Sequence, residues 1–319
     1  MQLIIKPTSS CNFNCTFCSA GKLNIPTTSK VPDKIKDIMK VIKPDDVVVT
    51  GGDPLLMPMS YYDDLLSLGD FTISLTTNLK AFYYNPEKWV PLFKNPRVGV
   101  CTSFQYGSGR MWDKNTVYDE EMFLKVMAKF KEYMGFHPTF ISVITKENCD
   151  RAIDNVLLAK KLDTECRLNG VFKAGRSGEY FPRHEMIKIY NKIIDMGLEQ
   201  YEVNCKIRGE GHCPYNTAGM CETTIRSAWV DNTGDLKYGT CEDFAIYGTT
   251  LPLDKERPND VRSYPPPEEV ISEKCFGCEL FYMCNGCKTN RLQAKDCEGY
   301  CEGMLSIKDD MIKHGWKLC

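Results

Sequence analysis

Six short runs rich in β-branched and apolar residues recur along the first two-thirds of the chain, each followed by a stretch with helical spacing. No other feature restricts the fold as much. The runs are QLIIKP (2–7), DVVVTG (46–51), FTISLTTN (71–78), RVGVCTSF (97–104), TFISVITK (139–146) and CRLNGVFK (166–173). Strand-then-helix repeats call for a parallel sheet, because each strand is re-entered from the same end through a crossover. Between 119 and 134, Met122, Val126, Met127, Phe130 and Met134 recur at helical spacing. The segment 148–162 repeats the scheme, with Asn148 as its N-cap and Ile153, Val156 and Leu157 on one face. These stripes predict core packing. Six units are two short of a closed eight-unit barrel, so the expected α/β fold is a partial (β/α)6 TIM-like barrel over residues 1–197. Its site should lie in the loops at the C-terminal ends of the strands.

Beyond Gly197 turn chemistry takes over, in RGEGHCPYNTAGMC, VDNTGDLKYGTCEDF and the proline-rich RSYPPPEEV at 262–270. Residues 198–319 therefore read as a small second domain with too little apolar sequence for a core of its own, the kind usually held by metal or disulfides. The opening MQLIIKPTSS lacks the apolar run of a secretory signal, and no stretch approaches the roughly 20 apolar residues of a membrane span. A cytoplasmic protein with no membrane partner is expected. A formal net charge of −2 gives no long-range attraction for nucleic acid, so none is expected as a partner. Seventeen cysteines, an odd number, stand against that reducing setting and point to metal or iron–sulfur ligation. Three lie within the first 18 residues, Cys101, Cys149 and Cys166 are scattered, and eleven fall between Cys205 and Cys319.

The spacing Cys11-x3-Cys15-x2-Cys18 is not that of a zinc ribbon, and it supplies three ligands where a structural zinc or a complete [4Fe–4S] cluster takes four. An open fourth position is where chemistry happens. Chance alone gives such a spacing in roughly one chain in twenty at this cysteine content, so context decides. The triplet follows the first strand, Phe17 precedes its third cysteine, and the second strand ends in GGDP (51–54). On these residues the chain resembles the radical S-adenosylmethionine superfamily, with its C-x3-C-x-aromatic-C motif and a G-G-E-P type motif after the second strand. Asp53 stands where Glu is commonest and keeps the carboxylate. The resemblance implies that Cys11, Cys15 and Cys18 bind three irons of a [4Fe–4S] cluster whose fourth iron takes the amino and carboxylate groups of S-adenosylmethionine. Electron transfer then cleaves the C5′–S bond, and the 5′-deoxyadenosyl radical abstracts hydrogen from substrate. It further implies cofactor contacts from Phe17, Gly51, Gly52, Asp53 and Pro54, from Thr77 and Asn78 after the third strand, and from Ser103 and Ser142 on the fourth and fifth. Arg176 is placed to pair a carboxylate of cofactor or substrate. Gln105 departs from the family, many members of which carry an acidic residue there. A flavodoxin or ferredoxin is the implied electron donor.

The run Cys275-x2-Cys278-x5-Cys284-x2-Cys287 resembles the core of the SPASM extension of these enzymes, which carries two auxiliary [4Fe–4S] clusters; its shortened relative, the twitch domain, carries one. The last gap is x2 rather than the family's x3. Residues 229–241 look like the hairpin before that core, with Asn232 to Gly234 as its turn. By analogy Cys213, Cys221, Cys241 and Cys287 hold the nearer cluster, and Cys275, Cys278, Cys284 and Cys301 the farther, with Cys205, Cys297 and Cys319 as alternates. Cys101, Cys149 and Cys166 read as buried small hydrophobes. Cys101, close to the barrel mouth, is also a candidate hydrogen-atom donor, a role some epimerases of the superfamily give to a cysteine. The function implied first is modification of a ribosomally made peptide or protein by crosslinking, epimerisation or oxidation. Because the cluster motif begins at residue 11, a leader-recognition module would be a separate protein. The alternatives are a small-molecule dehydrogenase or epimerase of the sugar or aminocyclitol type and, from another class, a non-enzymatic zinc-binding module that leaves the first three cysteines unused.

Overall fold

The six expected strands form in a computed structural model that describes residues 2–19, 27–171, 175–208, 227–231, 236–238, 280 and 300–316. They are β1 (Gln2–Lys6), β2 (Asp46–Val49), β3 (Thr72–Thr76), β4 (Val98–Ser103), β5 (Thr139–Ile144) and β6 (Cys166–Gly170). All are parallel and neighbours in sequence order, so each is re-entered from the same end through a crossover. The sheet is open: its order runs β6-β5-β4-β3-β2-β1 and continues into β7 (Ser227–Asp231) and β8 (Leu236–Tyr238). β7 pairs parallel with β1, and β8 returns antiparallel to β7. The expected hairpin is thus present and extends the sheet, while its turn and Cys241 lie outside the described residues.

Side-chain alternation separates two faces. Leu3, Ile5, Val47, Val49, Ile73 and Leu75 point to one face and are fully buried, whereas Thr72, Ser74 and Gly99 on the other are exposed. At the far edge β6 finds side-chain partners in place of a seventh strand. Leu168 N donates to Glu202 Oε1 (2.9 Å), and Leu168 O accepts from Tyr190 Oη (2.7 Å) and Asn204 Nδ2 (3.0 Å). An edge that would otherwise offer free backbone groups is thereby closed.

The longest helix among the described residues, α5 (Glu120–Met134), begins where Asp119 accepts from Met122 N (2.9 Å) and ends at the left-handed Gly135. It buries Phe123, Val126, Met127 and Phe130, with Phe123 stacked on Phe104 at 4.3 Å; Met122 and Met134 flank this stripe half-buried. For α6 (Ala152–Lys161) the expected face is corrected. Ala152, Val156 and Ala159 are buried, Leu158 nearly so, while Leu157 is 42% exposed. Asn148 does not cap it either. Its Oδ1 accepts from Thr145 N (2.8 Å) and its Nδ2 donates to Tyr106 O (3.0 Å) and Val143 O (3.1 Å), so it ties the loops after β4 and β5 together instead. Near the C-terminus, helices Tyr300–Ser306 and Lys308–Lys313 pack on α7 (Arg183–Asp195), adding Met304, Met311 and Trp316 to the same core. Among the described residues no helix is long and apolar enough to cross a membrane.

Candidate functional site

The loop carrying the three cysteines leaves β1 and crosses the C-terminal edge of the sheet, where the ends of β2, β4 and β6 grip it. From the β2 side, Gly52 N donates to Thr8 O and Asp53 N to Ser10 O, both at 2.8 Å. A Cβ on Gly52 would stand 2.0 Å from Ser10 O, so this position admits only glycine. Sequence reasoning gives GGDP close approach to a cofactor; here the glycines approach the cysteine loop itself. From the β4 side, Asn14 N donates to Met111 O (3.1 Å) and Thr16 N to Gly109 O (2.9 Å). After β6, Arg176 N donates to Cys18 O (2.9 Å), next to the left-handed Gly175, whose added Cβ would lie 2.1 Å from Ser19 O.

Beneath the loop lies a buried polar network. Asp53 is 1% exposed, and its carboxylate accepts from Leu55 N (2.8 Å), Asn78 N (2.9 Å) and Thr77 Oγ1 (2.9 Å). Burial raises its pKa, and the hydrogen bonds from Asn78, Leu55 and Thr77 work against that rise. Asp53 and Thr77 are therefore internal struts between the ends of β2 and β3. Pro54, also buried, starts the short 3-10 turn that Asp53 caps, and its carbonyl accepts from Tyr62 Oη at 2.6 Å. Asn78 reaches the loop directly, with Nδ2 on Asn12 Oδ1 (2.7 Å) and 3.6 Å from Cys11 Sγ.

Cys11 keeps surface open to solvent on one side, while the packed loops on its other side desolvate a thiolate. That desolvation, then the Asp53 carboxylate, pushes its thiol up to about 12. Cys15 and Cys18 are half-buried and close enough for their charges to raise Cys11 further. Among the described residues no three Cys, His, Asp or Glu side chains converge on one ion. Three thiols on one loop are one ligand fewer than a structural zinc or a complete [4Fe–4S] cluster takes, which leaves one metal position to another ligand.

Beside the loop a cavity of about 290 Å³ opens at the ends of β4, β5 and β6. Thr16 and Phe17 form one wall, Gln105 and Gly107–Gly109 another, and Thr145, Glu147, Asn148 and Arg176–Glu179 the rest. Gln105 is buried and accepts from Arg110 Nε (2.7 Å), whose guanidinium sits 5.2 Å from the Phe17 ring. Arg176 Nη1 donates to Asn14 Oδ1 at 2.6 Å, holding the loop to the cavity rim.

Other expected residues fall elsewhere. Ser142 is fully buried and donates to Phe104 O (2.6 Å), so its hydroxyl is spent between strands; Ser103, half-buried, ends β4. Cys101 lies within β4 opposite Thr76 and Thr139, and burial raises its thiol pKa. Cys166 is buried as expected, Cys149 is half-buried, and Cys205 is fully buried. Cys213, Cys221, Cys241, Cys275, Cys278, Cys284, Cys287, Cys297 and Cys319 lie outside the described residues, and of Cys301 only the helical backbone is described. Sequence reasoning missed Lys80 and Arg110. The first follows TTN by two residues and the second sits in a loop without periodicity, so nothing in the chain marked either.

The model of the Radical SAM superfamily matches residues 5–158. Among solved structures, native anSMEcpe with bound AdoMet and Cp18Cys peptide superposes with a TM-score of 0.67 at 16% identity, covering 98% of both chains. Streptococcus suis SuiB bound to S-adenosylmethionine gives 0.63 at 15%, covering 90% of this chain and 72% of that one. SuiB bound to precursor peptide SuiA gives 0.63 at 16%, covering 90% and 71%. At such identities the likeness is one of fold. No curated protein matches in sequence. With its three-cysteine loop inside the matched segment, residues 5–158 form a radical SAM superfamily domain.

Proposed function

We propose that this protein is a radical S-adenosylmethionine enzyme acting on a ribosomally made peptide or protein. The observation that carries the reading is one loop with three thiols, gripped by three strand ends and bordered by a ligand-sized cavity. Cys11, Cys15 and Cys18 would hold a [4Fe–4S] cluster, which supplies the electron that cleaves bound S-adenosylmethionine to a 5′-deoxyadenosyl radical. The fit rests on the donor set, three thiols on one gripped loop where a complete cluster takes four.

The chain's own groups bind and orient. The Phe17 wall offers an apolar face to the adenosyl part, and Arg176 at the rim offers a carboxylate partner in exchange for Asn14. Gly52 and Asp53 fix the loop rather than reach into the cavity. The peptide reading is supported by fold likeness to proteins whose structures hold peptides, SuiA on SuiB and Cp18Cys on anSMEcpe. The cysteines from Cys213 onward would carry one or two auxiliary clusters, with an external flavodoxin or ferredoxin as electron donor.

The test is iron and sulfide content with electron paramagnetic resonance on anaerobically reconstituted protein, comparing wild type with Cys11, Cys15 and Cys18 all changed to Ala. About twelve irons falling to eight, with loss of 5′-deoxyadenosine, supports one radical cluster and two auxiliary ones. Eight falling to four leaves one auxiliary cluster and moves the substrate toward a small molecule. Zinc without iron sinks the enzyme reading. A peptide encoded beside the gene, incubated with the loaded enzyme, should then change in mass or exchange hydrogen isotope.

A further inference from the structure

Asn78 and Lys80 hold the cysteine loop through groups that the cavity does not use. The orientation of the Asn78 carboxamide is fixed, because its Oδ1 accepts from Lys80 N at 2.8 Å. Its Nδ2 consequently faces Asn12 Oδ1 at 2.7 Å and Cys11 Sγ at 3.6 Å. Phe13 N gives the same sulfur a second donor at 3.4 Å. Two residues on, Lys80 Nζ donates to Asn12 O (3.3 Å) and Trp112 O (2.5 Å), and it lies 4.5 Å from the Trp112 ring. One sulfur of the three thus has two N–H donors, and a fixed cation bonds the carbonyl of the next residue.

We propose that Asn78 and Lys80 are positioning residues that set the reduction potential of the metal centre held by the three thiolates. This rests on Cys11 being an iron ligand, as argued above. Donors and positive charge beside a ligating sulfur stabilise the reduced centre more than the oxidised one, since reduction adds negative charge, and so they raise its potential. Removing either should make the centre harder to reduce. The guanidinium of Lys80→Arg keeps the charge and should largely preserve the potential.

The test is a potentiometric titration followed by electron paramagnetic resonance on the full-length reconstituted protein without S-adenosylmethionine. It compares wild type, Asn78→Leu, Lys80→Met and Lys80→Arg. Signals from other centres are subtracted using the protein with Cys11, Cys15 and Cys18 changed to Ala. At the wild-type midpoint, the ratio of reduced to oxidised centre should fall about tenfold in Asn78→Leu and Lys80→Met, equivalent to about 59 mV for one electron. It should stay near wild type in Lys80→Arg. Lys80→Met leaves the Cys11 contact intact and carries the test if Asn78→Leu fails to load iron. Unshifted midpoints at full iron content overturn this inference while leaving the cluster in place, as does a shift seen only after S-adenosylmethionine is added. No iron lost in the triple alanine protein overturns the cluster reading itself.

Discussion

Gly52→Ala asks whether the cysteine loop is positioned by backbone contact. An ideal Cβ at Gly52 lies 2.0 Å from Ser10 O and 2.7 Å from Ser9 C, whereas real Cβ atoms stay beyond 3.0 Å. The loop must therefore retreat by at least the difference, 1.0 Å. That retreat stretches the two 2.8 Å bonds from Gly52 N and Asp53 N out of range. Two backbone hydrogen bonds at about 0.5–1.5 kcal/mol each put the cost near 1–3 kcal/mol, a fall of several degrees in Tm. Metal ligands tolerate only about 0.5 Å of displacement, so loading should suffer far more than stability. Gly135→Ala is the control. With φ at +86° and nothing within 4 Å of an added Cβ, it incurs about 1–2 kcal/mol of left-handed strain at the remote end of α5. Reconstituted iron per chain and thermal unfolding are measured on both. The expected result is comparable destabilisation, with about four irons lost in Gly52→Ala alone. Full iron and wild-type 5′-deoxyadenosine formation in Gly52→Ala would refute the reasoning, and so would equal iron loss in Gly135→Ala.

Leu79 is fully buried with φ at +60°, so Leu79→Gly should be less damaging than Leu79→Ala by about 1 kcal/mol in chemical denaturation, because only glycine relieves the strain. Burial pulls the His314 pKa down, but the Asp310 carbonyl at 2.6 Å, Asp195 Oδ1 at 3.0 Å and both carboxylate charges leave it raised. A raised folded value means stability that is present below about pH 6.5 and lost as pH rises through that value, so His314→Gln should lower Tm more at pH 6 than at pH 9. The hydrogen-donor role proposed for Cys101 fits a thiol whose pKa is raised by burial and which therefore keeps its proton at neutral pH. Cys101→Ala should keep full iron while losing deuterium transfer from solvent into product, and unchanged transfer removes the role.

The strands were legible because β-branched and apolar residues fill their buried face, as Leu3, Ile5, Val47, Val49, Ile73 and Leu75 do, and all six form inside the ranges that the sequence sets. Helix faces were less so. Periodicity placed Leu157 inside, but Ala152 and Ala159, too small to weigh in a hydrophobic pattern, are what meet the sheet. The cysteine loop and GGDP were visible as motifs, yet their physical relation was not: a glycine needed for cofactor approach and one needed for loop approach leave the same letter in the sequence. Lys80, Arg110 and the bridging use of Asn148 depend on contacts across 32, 93 and 42 positions, to Trp112, Phe17 and Tyr106, which no local pattern encodes.

Cys205 shows how the barrel's open edge bears on the count of metal ligands. It is fully buried beside Glu202, whose Oε2 accepts from Cys205 N (2.7 Å) and whose Oε1 accepts from Leu168 N (2.9 Å) at the β6 edge. Its Sγ lies 3.7 Å from Tyr190 O. Desolvation, then the Glu202 charge, raises its thiol pKa strongly, so a thiolate there would be both dry and next to a carboxylate. A ligand at this position would have to leave the group that closes the edge. Cys205→Ala should therefore retain every iron and cost about 1 kcal/mol, the scale of one small buried group and its cavity. Iron and sulfide per chain, measured beside Cys275→Ala, decide the matter. Loss of a full cluster from Cys205→Ala would mean that the β6 edge rearranges when the second cysteine group is loaded.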